Sequence, residues 1–128
     1  MENKANLPEQ GANLLKGFKR KKPEYESGDY FFTGKFYVTA GVQATVHPDE
    51  IFRIYMEMLH LVSKQGGQDY LQVYTHKSTK LFLIDNLSRE MIQSGNYSNE
   101  DNYCTLLLAD EYWNLSQNKR EKLFSPFL

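Results

Sequence analysis

Few side chains in this 128-residue chain have the chemistry for covalent or acid–base work. They are one thiol, Cys104, the imidazoles of His47, His60 and His76, and the adjacent carboxylates Asp110 and Glu111. A thiol attacks as its thiolate and needs a base or a cation beside it to form that species. Cys104 instead sits in the apolar run Tyr103-Cys104-Thr105-Leu106-Leu107-Leu108-Ala109, where burial keeps a thiol protonated, and the three histidines fall in three separate segments. Metal binding takes three or four convergent ligands, and His47, Asp49, His60, His76, Asp85 and Asp110 show no ligand spacing. The stretch from Gly28 to Gly34-Lys35 imitates a phosphate loop with one residue too many between its glycines, and Phe36 stands where a hydroxyl is needed. Asp110 and Glu111 are neighbours, so on a strand they point to opposite faces and share a substrate only if the chain turns there; a polar strand end is the commoner explanation. The sequence predicts no catalytic residue, no metal and no cofactor.

Recognition asks for less. Asp110-Glu111-Tyr112-Trp113 combines charge with two amphipathic aromatics, the composition of an anchor in a protein interface, and these four residues are the expected protein-binding site. The alternative is nucleic acid, held by the basic block Lys19-Arg20-Lys21-Lys22 and by Tyr70 and Tyr74, which share one parity of a strand with Gln72 and His76. Net charge favours neither polyanion coating nor nucleic-acid mimicry, because 15 Lys and Arg face 16 Asp and Glu. The charge is divided, however. Residues 1–24 hold six basic and three acidic side chains, a balance of +3, and the remainder holds nine and thirteen, a balance of −4. Residues 1–24 read as a flexible basic arm and 25–128 as a single domain.

That domain has 41% apolar and 14% aromatic residues in the whole chain to draw on, enough to bury a core without disulfides. The β-branched and aromatic cluster Phe36-Tyr37-Val38-Thr39 predicts a strand over 35–42. Pro48 followed by Asp49-Glu50 opens a helix over 48–64, with Ile51, Tyr55, Met58 and Val62 at helical spacing. Phe52, Ile54, Leu59 and Leu61 widen its apolar sector, so the helix is expected to be largely buried, and Gly66-Gly67 ends it. A hairpin is predicted over 70–85, with residues 76–80 as its connection. The continuous apolar run from Tyr103 predicts a central strand, and Ser116 caps a short C-terminal helix. The expected fold is α+β: a small, mainly antiparallel four-stranded sheet packed on one long helix. The first two strands run parallel across that helix. A lone cysteine and the absence of a long apolar run point to a cytoplasmic protein without a membrane segment.

Three stretches carry a family likeness: Phe36-Tyr37-Val38-Thr39-Ala40-Gly41-Val42, Asp69-Tyr70-Leu71-Gln72-Val73-Tyr74, and Thr105-Leu106-Leu107-Leu108-Ala109-Asp110-Glu111-Tyr112. Over roughly residues 35–113 the chain resembles the domain-of-unknown-function family numbered 960, short proteins of Gram-positive bacteria found on phages, plasmids and chromosomal cassettes. The resemblance implies a bacterial or phage setting and supplies no catalytic signature. Together these readings give a non-enzymatic protein-binding module, in its bolder form a mobile-element inhibitor of a host defence or DNA-repair enzyme. The alternative is a nucleic-acid-binding accessory protein using the basic arm.

Overall fold

The computed structural model describes residues 13–112 and 124–126. Its strands and α-helices in chain order are β1 (Lys19–Lys21), β2 (Lys35–Thr39), α1 (Ala40–Thr45), α2 (Pro48–Gln65), β3 (Leu71–His76), β4 (Thr79–Asp85), α3 (Arg89–Gln93), β5 (Tyr103–Leu108) and β6 (Phe124–Pro126), with 3-10 turns at Asn99–Asp101 and Ala109–Glu111 on either side of β5. Five strands make a mixed sheet in the order β1-β3-β4-β5-β2, and the three-residue β6 adds beyond β2. The α+β class is as expected, but the sheet is larger than four strands and is not uniformly antiparallel, because β2 pairs parallel with β5. The first two predicted strands, β2 and β3, run in the same direction without being neighbours, since β5 and β4 lie between them. β5 is the central strand that its uninterrupted apolar run predicts, with four consecutive buried residues.

The long helix α2 begins and ends where its sequence signals place it. His47 Nδ1 accepts the amide of Asp49 at 3.1 Å, Pro48 needs no donor partner at the first position, and Gly66 closes the end at φ +88° with its amide on Val62 O at 2.7 Å. Glu50, Ile51, Ile54, Tyr55 and Met58 form the buried stripe. The expectation of a largely buried helix is corrected, since Phe52 is 47% and Met56 44% exposed. A single sheet covers one side of a helix, and nothing among the described residues covers the other.

The stripe packs on Phe36, Val38, Tyr74, Leu81, Leu83, Cys104 and Leu106 to form the core. Phe36 and Tyr55 stack with ring centroids 4.1 Å apart. β2 stops at Thr39 rather than continuing to residue 42, because the Thr39 hydroxyl accepts the amide of Val42 at 3.2 Å and turns the chain into α1. The hairpin is tighter than predicted. His76 pairs with Thr79 and Thr75 with Lys80, leaving only Lys77, at φ +54°, and Ser78 as the turn.

Residues 13–22 belong to the segment expected to be a flexible arm. Here Lys19–Lys21 pair antiparallel with β3, and Phe18 is buried against the His76 ring. Glu50 fastens this strand to α2: its Oε2 accepts the amides of Gly17 at 3.0 Å and Phe18 at 2.7 Å, while Arg53 bonds both Glu50 and the Phe18 carbonyl. Residues 113–123, on which most of the predicted C-terminal helix falls, lie outside the described residues, and Phe124, its expected end, is in β6. Among the described residues no helix is long and apolar enough to cross a membrane.

Candidate functional site

The basic block does not act as one unit, because alternate strand residues face opposite sides of a sheet. Arg20 turns to the helix side, where Nε donates to Gln72 Oε1 at 2.9 Å and Nη2 to Gln68 Oε1 at 3.3 Å. Lys19 and Lys21 share the other face. Register places them in two rows across the sheet, Lys19–Thr75–Lys80 and Lys21–Val73–Phe82–Leu107. Lys19, Lys21 and Lys80 are exposed, and none pairs with a carboxylate among the described residues. Between and beside them Leu71, Val73, Phe82 and Ile84 are half-buried. A groove of about 460 Å³ runs along this side, lined by Lys21, Lys22, Pro23, Glu24, Asp69 and Val73, and Lys22 is tied there to Glu26 at 2.8 Å.

The residues expected to bind protein separate into different roles. Glu111 turns inward: Oε1 accepts the Thr39 hydroxyl at 2.6 Å and the Leu108 amide at 2.9 Å, so its carboxylate holds the end of β5 against the start of α1. Asp110 is exposed. Tyr112 lies edge-on to Phe82, centroids 5.8 Å apart at 83°, and keeps 41% exposure, which brings it onto the same face as the lysines. Trp113 lies outside the described residues.

Of the two aromatics in the nucleic-acid reading, burial corrects Tyr74. Tyr74 is fully buried under α2 and cannot stack on a base, whereas Tyr70 precedes β3, is 42% exposed and tilts against Tyr30 at 5.9 Å. The parity shared by Tyr70, Gln72 and Tyr74 marks the helix-covered face, not an open platform. The lysine cluster was hidden in the sequence because Lys80 joins it only through the two-residue turn, whereas a five-residue connection leaves Lys80 outside the ladder.

A second polar group lies in the core around Asp85. Its Oδ2 accepts the amide of Phe32 at 2.9 Å and its Oδ1 that of Asn86 at 3.0 Å. Phe32 is fully buried at φ +57°, a conformation that a side chain rarely adopts, and Asp85 is one of the contacts that hold it. Burial pushes the Asp85 carboxyl up to about 6, against the lowering effect of these amides and the Asn102 side chain. Burial likewise pushes Tyr55 up to about 12, with the charges of Cys104 and Asp85 adding to it. Cys104, cross-strand from Asp85, has its thiol held well above the usual range by burial and by the Asp85 charge. This cluster is enclosed, and its acidic groups are kept protonated or already bonded, so it has structural chemistry rather than an accessible nucleophile. Among the described residues no three His, Cys, Asp or Glu side chains converge on a metal position.

No protein-family model matches the chain, and neither does any curated protein or solved structure.

Proposed function

We propose that the chain is a non-enzymatic binding module for an acidic protein surface, and that contact is made by the face of β1, β3 and β4 together with Tyr112. The observation that carries this reading is the trio Lys19, Lys21 and Lys80, unpaired with any described carboxylate and set around the half-buried Val73 and Phe82. An apolar centre within a charged rim is the anatomy of a protein contact. Tyr112 supplies an aromatic anchor of the kind that dominates binding energy, already oriented by Phe82. Sequence-tolerant nucleic-acid binding relies on exposed aromatic planes. On this face Phe82 is half-buried and engaged edge-on, which leaves Tyr112 as an exposed ring beside the lysines rather than a row of stacking planes, so a protein partner fits better. In the setting implied by the resemblance to family 960, the partner is a host enzyme of defence or DNA repair.

The test is affinity capture from a bacterial lysate with the wild type, a Lys19→Glu/Lys21→Glu/Lys80→Glu variant and a Tyr112→Ala variant. Each is first checked for a native circular dichroism spectrum. A partner lost from both variants and retained by Phe52→Ser, on the far side of α2, supports the reading. Capture that survives triple charge reversal in folded protein refutes it. Retention of a DNA duplex with steep salt dependence, lost on charge reversal, assigns the same lysines to nucleic acid instead.

A further inference from the structure

Away from the sheet face, the chain crosses the end of the sheet between Gly28 and Gly34. Asp29 fixes this crossing, taking the amide of Arg89 on its carbonyl at 2.7 Å and the amide of Glu90 on Oδ2 at 2.8 Å. Phe32 enters the core, and its neighbours Phe31 and Thr33 line a cleft of about 440 Å³ whose other walls are Leu87, Ile92 and residues of the 89–99 segment. Leu87, 7% exposed, is the most deeply set of its apolar residues. Arg89 lies over the Phe31 ring with its guanidinium carbon 5.1 Å from the centroid. This cation–π contact draws the exposed guanidinium to the mouth of the cleft with its N–H donors available, and no described carboxylate pairs with it. Asn99 adds to the same wall. Its Oδ1 is taken by the Thr33 hydroxyl at 3.2 Å, so its amide nitrogen remains to donate. Asp29 does not line the cleft, and the polar groups that converge on it, Arg89 and Asn99 with Gln93, offer mainly donors.

An apolar wall, a guanidinium over the Phe31 ring with no described carboxylate beside it, and a volume within the ordinary range of small-ligand sites define one ligand chemistry. We propose that this cleft binds a small organic acid, its apolar body against Phe31, Leu87 and Ile92 and its carboxylate on Arg89. A carboxylate accepts two parallel bonds from a guanidinium, which an amide of the same shape cannot. The site is separate from the lysine face and stands or falls without it.

Methyl resonances of Leu87 and Ile92, followed by NMR, report occupancy directly. Titration with 3-phenylpropionate should give saturable shifts, and 3-phenylpropanamide and acetate should each bind about tenfold more weakly or worse, one lacking the charge and the other the apolar body. Arg89→Gln should reduce the acid to the level of the amide without altering the amide itself, and Arg89→Lys should recover part of the loss. The comparison of acid with amide uses the wild-type protein, so it holds whatever Arg89→Gln does to folding. Equal binding of acid and amide, absence of a saturable shift with the acid, or wild-type affinity in a folded Arg89→Gln protein would each overturn the proposal. So would much tighter binding of a tetrapeptide ending in phenylalanine, which would assign the cleft to a protein chain terminus.

Discussion

Thr39 donates its hydroxyl to Glu111 Oε1 at 2.6 Å across 72 residues of sequence, while the same hydroxyl oxygen accepts the amide of Val42. The Tyr-Val-Thr-x-Gly-Val stretch that leads from β2 into α1 and the Leu-Leu-Ala-Asp-Glu-Tyr stretch that closes β5 are therefore physically one clasp. Gly41 completes it, because a Cβ there would collide with the Glu111 carboxylate. Replacing Glu111 by Ala leaves the Thr39 hydroxyl and the Leu108 amide unmet and should cost about 2–3 kcal/mol in urea unfolding. Thr39→Val combined with Glu111→Ala should cost less than the sum of the single changes, by about 1 kcal/mol.

Gly41 gives the clasp a second test whose sign is unusual. Within an exposed helix, Gly→Ala gains about 1 kcal/mol. At Gly41 in α1 it should instead destabilise by about 1 kcal/mol or more, since the new methyl must displace Glu111. A stabilised Gly41→Ala protein would mean the carboxylate does not occupy this position in solution.

Tyr74 is fully buried, and its hydroxyl is the one buried side-chain oxygen or nitrogen without a hydrogen-bond partner among the described residues. Such a group carries a desolvation cost with nothing to offset it. Tyr74→Phe removes that cost at the expense of a small void, so it should raise stability by about 1 kcal/mol, visible as a higher melting temperature. A loss of stability would argue that the hydroxyl is bonded in solution.

The pH dependence of folding should carry the mark of Asp85. Its carboxyl titrates near 6 in the folded protein against an ordinary 3.8, so the folded state holds this proton more tightly than the unfolded chain. The contribution is fully present below pH 4 and is lost as pH rises through 6, by at most about 3 kcal/mol. Glu50 runs the other way. Burial would raise it, but Arg53 and the amides of Phe18 and Gly17 outweigh burial and hold it below its usual value, so its contribution is lost on acidification. Asp85→Asn removes the first slope alone. Relative to the wild type it should gain stability between pH 4 and 6.5, measured by urea unfolding across that range.

Cys104 should be silent toward thiol reagents. It is fully buried with its thiol pushed up by desolvation, so a disulfide exchange reagent at pH 8 should modify it only at the rate of global opening. Rapid modification of the native protein would place the thiol at the surface.

The elements legible in the sequence were those whose signals are local. α2 announced itself through Pro48, the acidic first turn and Gly66, and β5 through a short apolar run rich in strand formers, as a strand covered on both faces carries. The hairpin was visible, but its turn was not, because the pairing of Thr79 and Lys80 leaves no mark of hydropathy. Other features depended on partners far along the chain. The block from Lys19 looks solvated until β3 offers it an edge and Glu50 a pair of bonds. The parallel pairing of β2 with β5 rests on contacts across the fold, which spacing within a short window does not encode, whereas the turn into α1 is a local cap by Thr39 inside a stretch whose composition reads as strand. The candidate site shared that fate: Asp110-Glu111-Tyr112-Trp113 was visible as a cluster, yet which member faces solvent was decided by Thr39.

The bond set of Glu50 also determines where the protein can be cut. A version beginning at residue 25 would leave a carboxylate 5% exposed with its guanidinium but stripped of the two amides it holds, and would vacate the seat of Phe18 beside His76. It would also expose the ladder of β3 as a raw, sticky border. Expression trials that trim the basic leader as dispensable should therefore yield aggregate, and the smallest soluble version should keep Leu15, whose amide and carbonyl are bonded to Thr45 and His47.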